Sequence, residues 1–160
     1  MPSRRDAISL TPGEQREFLE SGKTLYLASN GKDGFPHIVA MWYGLDGADV
    51  VMTTYRKSQK VLNLRRDPRC AIILERGETY DKLKGLLLRG RCEVIDDEET
   101  TLATLAEVGR RFGGQAHPSR QAMETMRPQA RKRVTLRFRT EKVASWDHGK
   151  LTALPGQANA

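Results

Sequence analysis

Short runs of branched and aromatic residues alternate with hairpin-type turns along most of this chain, and this alternation constrains its fold more than any other feature. The segment 30–34, Asn-Gly-Lys-Asp-Gly, is a strong turn signal between two such runs, and residues 46–49 form the next turn. Six strands are predicted, over residues 24–29, 36–43, 50–54, 70–75, 84–95 and 134–146, the last as one bent strand or two short ones. Because short loops join the first three strands, they are predicted to form a meander.

Four helices are predicted around these strands, over residues 11–20, 58–66, 96–111 and 119–127. The first begins with a capping box made by Thr11 and Glu14. Ser58 is a candidate N-cap for the second helix, which is expected to end ahead of Asp67 because proline follows that residue.

Glycines at positions 85 and 90 lie inside the long strand 84–95, and they predict bulges or bends of the kind that close a small barrel. Many antiparallel strands with a few covering helices predict a β-barrel with helical additions. A doubly wound fold would need repeated strand–helix–strand units and a glycine-rich first turn, and the sequence has neither. The 160 residues are expected to form one domain, with a core over about 11–147 and a C-terminal tail over 148–160.

The composition argues against several classes of protein. Hydrophobic residues make up 38% and charged residues 29%, which is typical of a folded chain rather than a disordered one. The apolar runs are far shorter than the ~20 residues that span a bilayer, and the first residues have no signal-peptide pattern, so a cytoplasmic protein without a membrane partner is expected. Cys70 and Cys92 lack metal-site spacing and are expected to be reduced and buried. The three histidines lie far apart, so no metal site is predicted.

The net charge of +7 is compatible with nucleic acid, an acidic membrane surface or an anionic small ligand as partner. Arg133, Arg137 and Arg139 alternate with apolar residues, which indicates the solvent-facing side of a strand and accounts for part of the excess charge. No helix–turn–helix or zinc-finger signature is present, so a nucleic-acid partner is not expected.

Residues 50–68 are the most informative segment for function. An apolar strand ends in Thr53 and Thr54, passes through a basic turn at Arg56 and Lys57, and enters a helix near Lys60. Hydroxyl donors, cations and a helix N-terminus in one place suit a phosphate group. The alternative is a solvated basic turn followed by an ordinary helix cap, and spacing alone leaves both interpretations open.

No side chain stands out as a general acid, a general base or a nucleophile, and no nucleophile elbow is present. Trp42, Tyr43 and Trp146 are as consistent with core packing as with flanking a planar ligand. If the chain is an enzyme, a bound cofactor is therefore expected to carry the chemistry.

Four segments occur in the order typical of a known family: residues 25–41 (LYLASNGKDGFPHIVAM), 60–68 (KVLNLRRDP), 85–94 and 133–146. In these segments the chain resembles the flavin/deazaflavin split-barrel oxidoreductases, whose fold is similar to that of pyridoxamine 5′-phosphate oxidase. The details are closest to the branch that uses coenzyme F420, an 8-hydroxy-5-deazaflavin. The resemblance implies a mainly β fold with helices, an antiparallel, Greek-key-like split β-barrel of the FMN-binding type.

The same resemblance implies a homodimer with two cofactor sites in grooves at the subunit interface. The tricyclic ring is expected to lie along one strand, at His37, Ile38, Val39, Ala40 and Met41. The phosphate is expected to be held by the end of the next strand and the basic turn, at Thr53, Thr54, Ser58, Gln59 and Lys60.

The implied activity is F420H2-dependent oxidoreduction, with hydride transfer between the deazaflavin and a planar conjugated small molecule. FMN-binding relatives often carry an arginine immediately before the lysine, whereas this chain has Gln59 before Lys60, which favours F420 over FMN. The alternatives are an FMN-binding oxidoreductase and a non-catalytic flavin or haem binder of the same fold. No individual catalytic residue is predicted.

Overall fold

The computed structural model of the chain describes residues 3–114 and 116–151. Within them lies one antiparallel sheet whose strands run in the order β2-β1-β5-β6-β7-β4-β3. The strands are β1 (Thr24–Asn30), β2 (Pro36–Trp42), β3 (Gly44–Asp46), β4 (Asp49–Tyr55), β5 (Arg69–Arg76), β6 (Lys84–Ile95) and β7 (Arg133–Asp147). The helices are α1 (Arg4–Ala7), α2 (Pro12–Ser21), α3 (Gln59–Arg66), α4 (Glu98–Gly113) and α5 (Arg120–Ala130), with single 3₁₀ turns at Tyr80–Lys82 and His148–Leu151.

The predicted mixed β and α split barrel is confirmed, and most predicted elements lie within a few residues of their expected bounds. Helix α5 continues through Pro128 to Ala130, beyond its expected end at 127. Helix α1, capped by Ser3, was not predicted. Residue 115 of the predicted loop 113–118 and residues 152–160 of the predicted tail lie outside the described residues.

The sheet closes on itself at Tyr43. Strands β2 and β3 lie at opposite ends of the strand order, yet Tyr43 alone separates them in the sequence. The two edges must therefore meet at this residue, and the sheet curls into a half-barrel. Tyr43 is fully buried, and its hydroxyl donates a hydrogen bond to the Leu19 carbonyl at 2.5 Å. Burial raises the pKa of this hydroxyl to about 12.

The predicted three-strand meander is wrong at this point. Strands β1 and β2 form the expected hairpin, with Thr24 opposite Trp42. The predicted strand 36–43, however, ends at Trp42, and β4 pairs instead with the separate short strand β3 and with β7. Two hairpins thus lie at opposite edges of one sheet, because the chain crosses from one edge to the other at the closure point.

The core fills the inside of the curl with alternate residues of each strand. Burying each large aliphatic side chain contributes about 1.5–3 kcal/mol. The fully or almost fully buried residues include Leu25, Leu27, Met52, Leu86, Leu88, Leu136 and Phe138. Helix α3 adds Val61 and Leu64 to this core, which fixes the helix, and the basic turn before it, at one end of the barrel.

The two glycines of β6 have different roles. The pairing of β6 with β7 shifts between Arg89 and Gly90, so the bulge predicted at Gly90 is confirmed. At Gly85 the register is regular, opposite Trp146. The indole ring of Trp146 lies so close to Gly85 that a Cβ added there would overlap it. Gly85 therefore provides room for an aromatic ring rather than a bend.

Helices α4 and α5 pack together, and α4 covers the outer face of β3, β4 and β7. The Thr135 hydroxyl is buried under α4 and lies 3.1 Å from that of Thr104. None of the helices within residues 3–114 and 116–151 has the length and apolar character needed to cross a bilayer.

Gly85→Ala is expected to lower the free energy of unfolding by about 1–3 kcal/mol, because the new methyl group must displace the Trp146 ring from a packed site. The measurement is urea denaturation followed by circular dichroism. Gly109→Ala, in the open on helix α4, is the control and should raise stability by up to about 1 kcal/mol. Equal stability of Gly85→Ala and the unmodified protein would contradict the packing described for Trp146.

Candidate functional site

The strand register leaves a seam open between β2 and the second half of β4. Strand β3 pairs with β4 only as far as Gly44 opposite Val51, and β2 pairs with β1 alone. Within the described part of the chain, β4 beyond Val51 and the outer edge of β2 thus have no strand partner on this side. Edge backbone groups need other hydrogen-bond partners, so the β2–β4 seam can bind a ligand through main-chain atoms.

Two cavities lie at opposite ends of β2. The first, of about 650 Å³, is lined by residues that include Phe35, His37, Gln59 and Asn63; it is called the His37 cavity below. The second, of about 490 Å³, is called the Arg133 cavity. It is lined on the sheet side by Ala40, Met41, Trp42, Thr53 and Arg133, and on the helix side by residues of α4 and α5.

The predicted site residues are thereby divided between two cavities. His37 and Gln59 line the first, and Ala40, Met41 and Thr53 line the second. His37 and Ala40 are three positions apart on β2, which corresponds to about 10 Å of strand. This length is close to that of a tricyclic flavin-type ring.

His37 is half-buried, and its Nδ1 atom is buried without a hydrogen-bond partner among the described residues. Its neighbours in the cavity are already engaged. The Gln59 amide donates to Asn63 Oδ1 at 2.9 Å, and Asn63, itself fully buried, donates to Ser29 Oγ at 3.1 Å. Leaving a buried polar atom unpaired costs about 1–3 kcal/mol, so His37 Nδ1 is available to a polar atom of a ligand.

The threonines predicted to bind phosphate face opposite sides of the sheet. Thr54 is buried inside the barrel, and its hydroxyl lies 3.3 Å from that of Ser58. Thr53 lines the Arg133 cavity on the outer face. Ser58 occupies the N-cap position of α3 as predicted, but its side chain makes no capping hydrogen bond to the helix. The prediction of a side-chain cap is wrong, and the Ser58 hydroxyl is close to Thr54 instead.

The cations of the basic turn also differ in their surroundings. Arg56 binds both oxygens of Asp96, with its Nη2 atom 2.7 Å from one oxygen. It also donates to the Arg131 carbonyl at 2.9 Å. The hydrogen bonds from Arg56 hold the pKa of Asp96 below its usual range. Arg56 is therefore neutralised within the chain and does not supply a free charge. Lys57 is exposed.

Lys60 is half-buried, and among the described residues no carboxylate pairs with it. Burial, and then repulsion by the positive charge of Arg133, lower the pKa of Lys60. Arg133 itself lies over the ring of Tyr55, with its guanidinium carbon 4.3 Å from the ring centre. Its Nε atom is buried and has no hydrogen-bond partner among the described residues.

Arg133 is the functional candidate that the sequence interpretation missed. Its alternation with apolar residues was taken as the solvent-facing side of a strand, and this prediction is wrong at Arg133, whose face of the strand is covered by helices. Thr135, two residues on, is fully buried under α4. The sequence held no signal for this burial, since a threonine between two arginines gives no reason to expect it.

The cavities contain little acid–base chemistry. Asp33 is the only carboxylate among the described residues that line the two cavities, and it accepts a hydrogen bond from the Phe35 amide in the β1–β2 turn. Within the described ranges, no group of three or more His, Cys, Asp or Glu side chains could hold a metal ion. Cys92 is buried and Cys70 half-buried, and both are free thiols. The site can bind and orient a ligand, and it offers no obvious proton donor.

Comparisons with known proteins show the family and the fold of the chain. The family model for pyridoxamine 5′-phosphate oxidase matches residues 11–147. The crystal structure of the conserved hypothetical protein Rv2991 from Mycobacterium tuberculosis superposes with a TM-score of 0.87 at 34% sequence identity, covering 99% of this chain and 98% of that one. A search of curated protein sequences found no match.

Two more distant structures share the fold. One is named F420 reductase, with a TM-score of 0.65 and 24% identity over 84% of this chain and 98% of that one. The other is HutZ, the heme storage protein from Vibrio cholerae, with a TM-score of 0.64 and 19% identity over 84% and 94%. At these identities the likeness concerns the fold alone.

Lys60→Met is expected to raise the free energy of unfolding of the ligand-free protein at pH 7 by about 0.5 kcal/mol. The folded state lowers the pKa of Lys60, so its charge opposes folding at neutral pH. This penalty disappears as the pH rises toward about 10.4, the value for an unfolded chain, and the gain should shrink accordingly. The measurement is urea denaturation at several pH values.

The matched control for this substitution is Lys23→Met, at an exposed lysine ahead of β1. This control substitution should change the free energy of unfolding little at any of these pH values. A loss of more than about 1 kcal/mol in Lys60→Met at pH 7 would mean that the ammonium group stabilises the free protein, contrary to its surroundings.

Proposed function

The chain belongs to the pyridoxamine 5′-phosphate oxidase family, and from this premise we propose that it is an F420H2-dependent oxidoreductase acting on a planar conjugated small molecule. The observation that carries the proposal is the β2–β4 seam. An open strand edge about as long as a tricyclic ring runs between two cavities. His37 Nδ1, unpaired among the described residues, lies at one end, and Arg133, with which no described carboxylate pairs, lies at the other.

The edge position of β2 supports binding of the ring. A deazaflavin has an apolar face and a polar pyrimidine edge. Ile38, which is 64% exposed, and Ala40 on the outer side of β2 can contact the face of the ring. Free backbone groups of the same strand can pair with its polar edge. Residues 37–41 thus provide both kinds of contact without a dedicated side chain.

The charge distribution supports an anionic cofactor. F420 carries a phosphate and an oligoglutamate tail, and the chain has a net charge of +7. Lys60, Lys57 and Lys32 lie around the seam and the β1–β2 turn, and no described carboxylate forms an ion pair with them. Gln59 stands where FMN-binding relatives often have an arginine, which favours F420 over FMN. A groove of one sign of charge also raises the association rate of an oppositely charged ligand.

A second copy of this chain is the proposed partner. The outer face of the sheet near the seam carries exposed apolar side chains, namely Tyr26 at 43%, Ile38 at 64% and Trp42 at 58%. Exposed apolar side chains grouped on one face favour an interface. In a homodimer, this face would cover the open side of the β2–β4 seam and exclude water from the bound ring.

In the proposed mechanism the protein acts by positioning. The reduced deazaflavin, when bound, supplies the hydride. Strand β2 fixes the plane of the ring, and Lys60 anchors the phosphate. Leu105, Val108 and Met126 on the helix side of the Arg133 cavity keep the substrate region apolar. Holding two reactants in a productive geometry accounts for a large part of many rate enhancements. The proton that balances the hydride comes from solvent or from a water molecule bound by an arginine.

Titration with cofactors is the decisive experiment. Purified protein is titrated with F420, FMN and haem, and binding is followed by fluorescence quenching or absorbance. We expect F420 to bind with micromolar or tighter affinity and FMN to bind more weakly. FMN affinity equal to or above that of F420 would assign the chain to the FMN-binding oxidoreductases. Tight binding of haem alone would indicate a storage function.

Lys60→Met should weaken F420 binding by about 1.5–3 kcal/mol, because a charge-assisted hydrogen bond to phosphate is lost. This corresponds to roughly a 10- to 150-fold higher dissociation constant. Lys23→Met again serves as the control and should bind as tightly as the unmodified protein. Unchanged affinity in Lys60→Met would remove Lys60 from the phosphate site.

A further inference from the structure

A third cavity, of about 550 Å³, lies where the ends of α2 and α4 meet strand β3 and the segment before β1. It is called the Arg111 cavity below. From α4 it is lined by Glu107, Arg110 and Arg111, whereas the Arg133 cavity is lined by Leu105, Val108 and Gly109. At 3.6 residues per turn these two sets lie on opposite sides of the helix. The Arg111 cavity is therefore separate from the β2–β4 seam.

Positive charge is in excess on the walls of the Arg111 cavity. The lining includes four cations and two carboxylates, namely Arg16, Lys23, Arg110, Arg111, Glu20 and Glu107. Each carboxylate is already paired within the cavity, Glu20 with Arg16 at 2.5 Å and Glu107 with Arg110 at 2.8 Å. Among the described residues no carboxylate forms an ion pair with Arg111 or Lys23. The described part of the lining thus retains two uncompensated positive charges.

Arg111 is half-buried and is held in a fixed position by main-chain carbonyls. Its Nε atom donates to the Tyr43 carbonyl at 3.1 Å, and its Nη2 atom donates to those of Leu19 and Gly22 at 3.0 and 2.6 Å. These contacts leave Nη1 without an acceptor among the described residues, so two N–H groups remain for a ligand. Because the guanidinium group is already ordered, binding a ligand costs little side-chain entropy.

Lys23 is joined to Arg111 by a main-chain contact. The Gly22 carbonyl that accepts from Arg111 belongs to the peptide bond between Gly22 and Lys23. Lys23 is exposed and lines the same cavity. A hydrogen bond and a shared cavity wall therefore bring the backbone of Lys23 to the Arg111 guanidinium.

The other walls of the Arg111 cavity favour a polar ligand. Leu45 is the only large apolar side chain among the described residues of the lining. Arg16 and Arg110 each keep one terminal nitrogen, Nη2 and Nη1 respectively, without an acceptor among the described residues. Guanidinium and ammonium groups bind carboxylates through charge-assisted hydrogen bonds. The cavity volume lies within the range of small-molecule sites.

We propose that the Arg111 cavity is a binding site for a small dicarboxylate. One carboxylate accepts hydrogen bonds from Arg111 Nη1, and the other pairs with the Lys23 ammonium group. Two uncompensated cations from different segments of the chain are matched in charge by a ligand with two acidic groups. The proposal depends on this cavity alone and is independent of the proposed oxidoreductase function.

Succinate and glutarate, which differ by one methylene group, are the probes for the unmodified protein. Binding is followed by NMR through the backbone amide signals of Gly22 and Lys23, which should shift and saturate. The better probe should bind about tenfold or more tightly than acetate, which can make one of the two charge-assisted contacts. Succinamide, the neutral analogue of succinate, should cause no shift.

Three outcomes of this titration would overturn the proposal. One is the absence of a saturable shift at these amides with either dicarboxylate. The second is equal binding of succinate and succinamide, which would make the charges irrelevant. The third is inorganic phosphate, titrated in the same way, binding as tightly as the better dicarboxylate, which would show that one compact anion suffices.

Substitutions locate the site. Arg111→Lys should raise the dissociation constant of the better probe about tenfold or more, because an ammonium group cannot reproduce the fixed guanidinium fork. Lys23→Met should raise it by about threefold or more, through the loss of an exposed charge. Lys60→Met removes a lysine of the seam and is the matched control, which should bind the probe as the unmodified protein does.

Lys23→Met keeps the test decisive if Arg111→Lys disturbs the Tyr43 junction, which circular dichroism would reveal. Equal affinity in Lys23→Met and the unmodified protein would contradict the proposed contact. If Lys60→Met loses binding while Lys23→Met retains it, the dicarboxylate occupies the seam and the proposal is wrong. A loss in Lys23→Met with normal binding of F420 would show that the two sites are independent.

Discussion

The junction at Tyr43 determines the shape of the whole molecule. One buried residue carries the chain from one edge of the sheet to the other, so the sheet must curl until its edges meet there. Arg111 of α4 holds this point, donating to the carbonyls of Tyr43, Leu19 and Gly22 at 3.1, 3.0 and 2.6 Å. Away from the junction the edges separate, because β3 is only three residues long. The open seam follows directly from this geometry: a barrel closed at one point and unpaired beyond it leaves two strand edges facing each other.

The seam explains why this site has few conspicuous side chains. Main-chain groups of an edge strand can pair with the polar edge of a planar ligand whatever the residue types are. The side chains of Ile38 and Ala40 are then free to contact the face of that ligand. Polar side chains are needed only at the two ends of the seam. His37 and Arg133 each have a nitrogen atom that the described residues leave unpaired, one near each end of the seam. In the proposed function the cofactor carries the chemistry, and the protein has to supply orientation and charge.

Much of the fold could be predicted from the sequence because it depends on local signals. The turn at 30–34, the capping box at Thr11 and the alternation in β7 each act over a few residues, and the corresponding elements are present. The break at Tyr43 could not be predicted, since apolar and aromatic residues continue through it and only pairing with distant strands decides where β2 ends. The same limit applied to the site. Residues near Lys60 were predicted from their neighbours in sequence, whereas Arg133 comes close to Lys60 only in the folded chain.

The ion pairs of this chain cancel part of its positive charge. Arg56 and Arg65 share Asp96, and Arg137 and Arg139 of β7 have carboxylate partners, so their charges are largely cancelled at short range. Exposed pairs of this kind add little stability, typically about 0–1 kcal/mol each, but they remove competing positive sites from the surface. Lys60 and Arg133 have no carboxylate partner among the described residues, and the same is true of the exposed Lys23, Lys32 and Lys57. The net charge of +7 therefore does not by itself select one groove, and binding at the seam depends on the geometry of its hydrogen-bond donors.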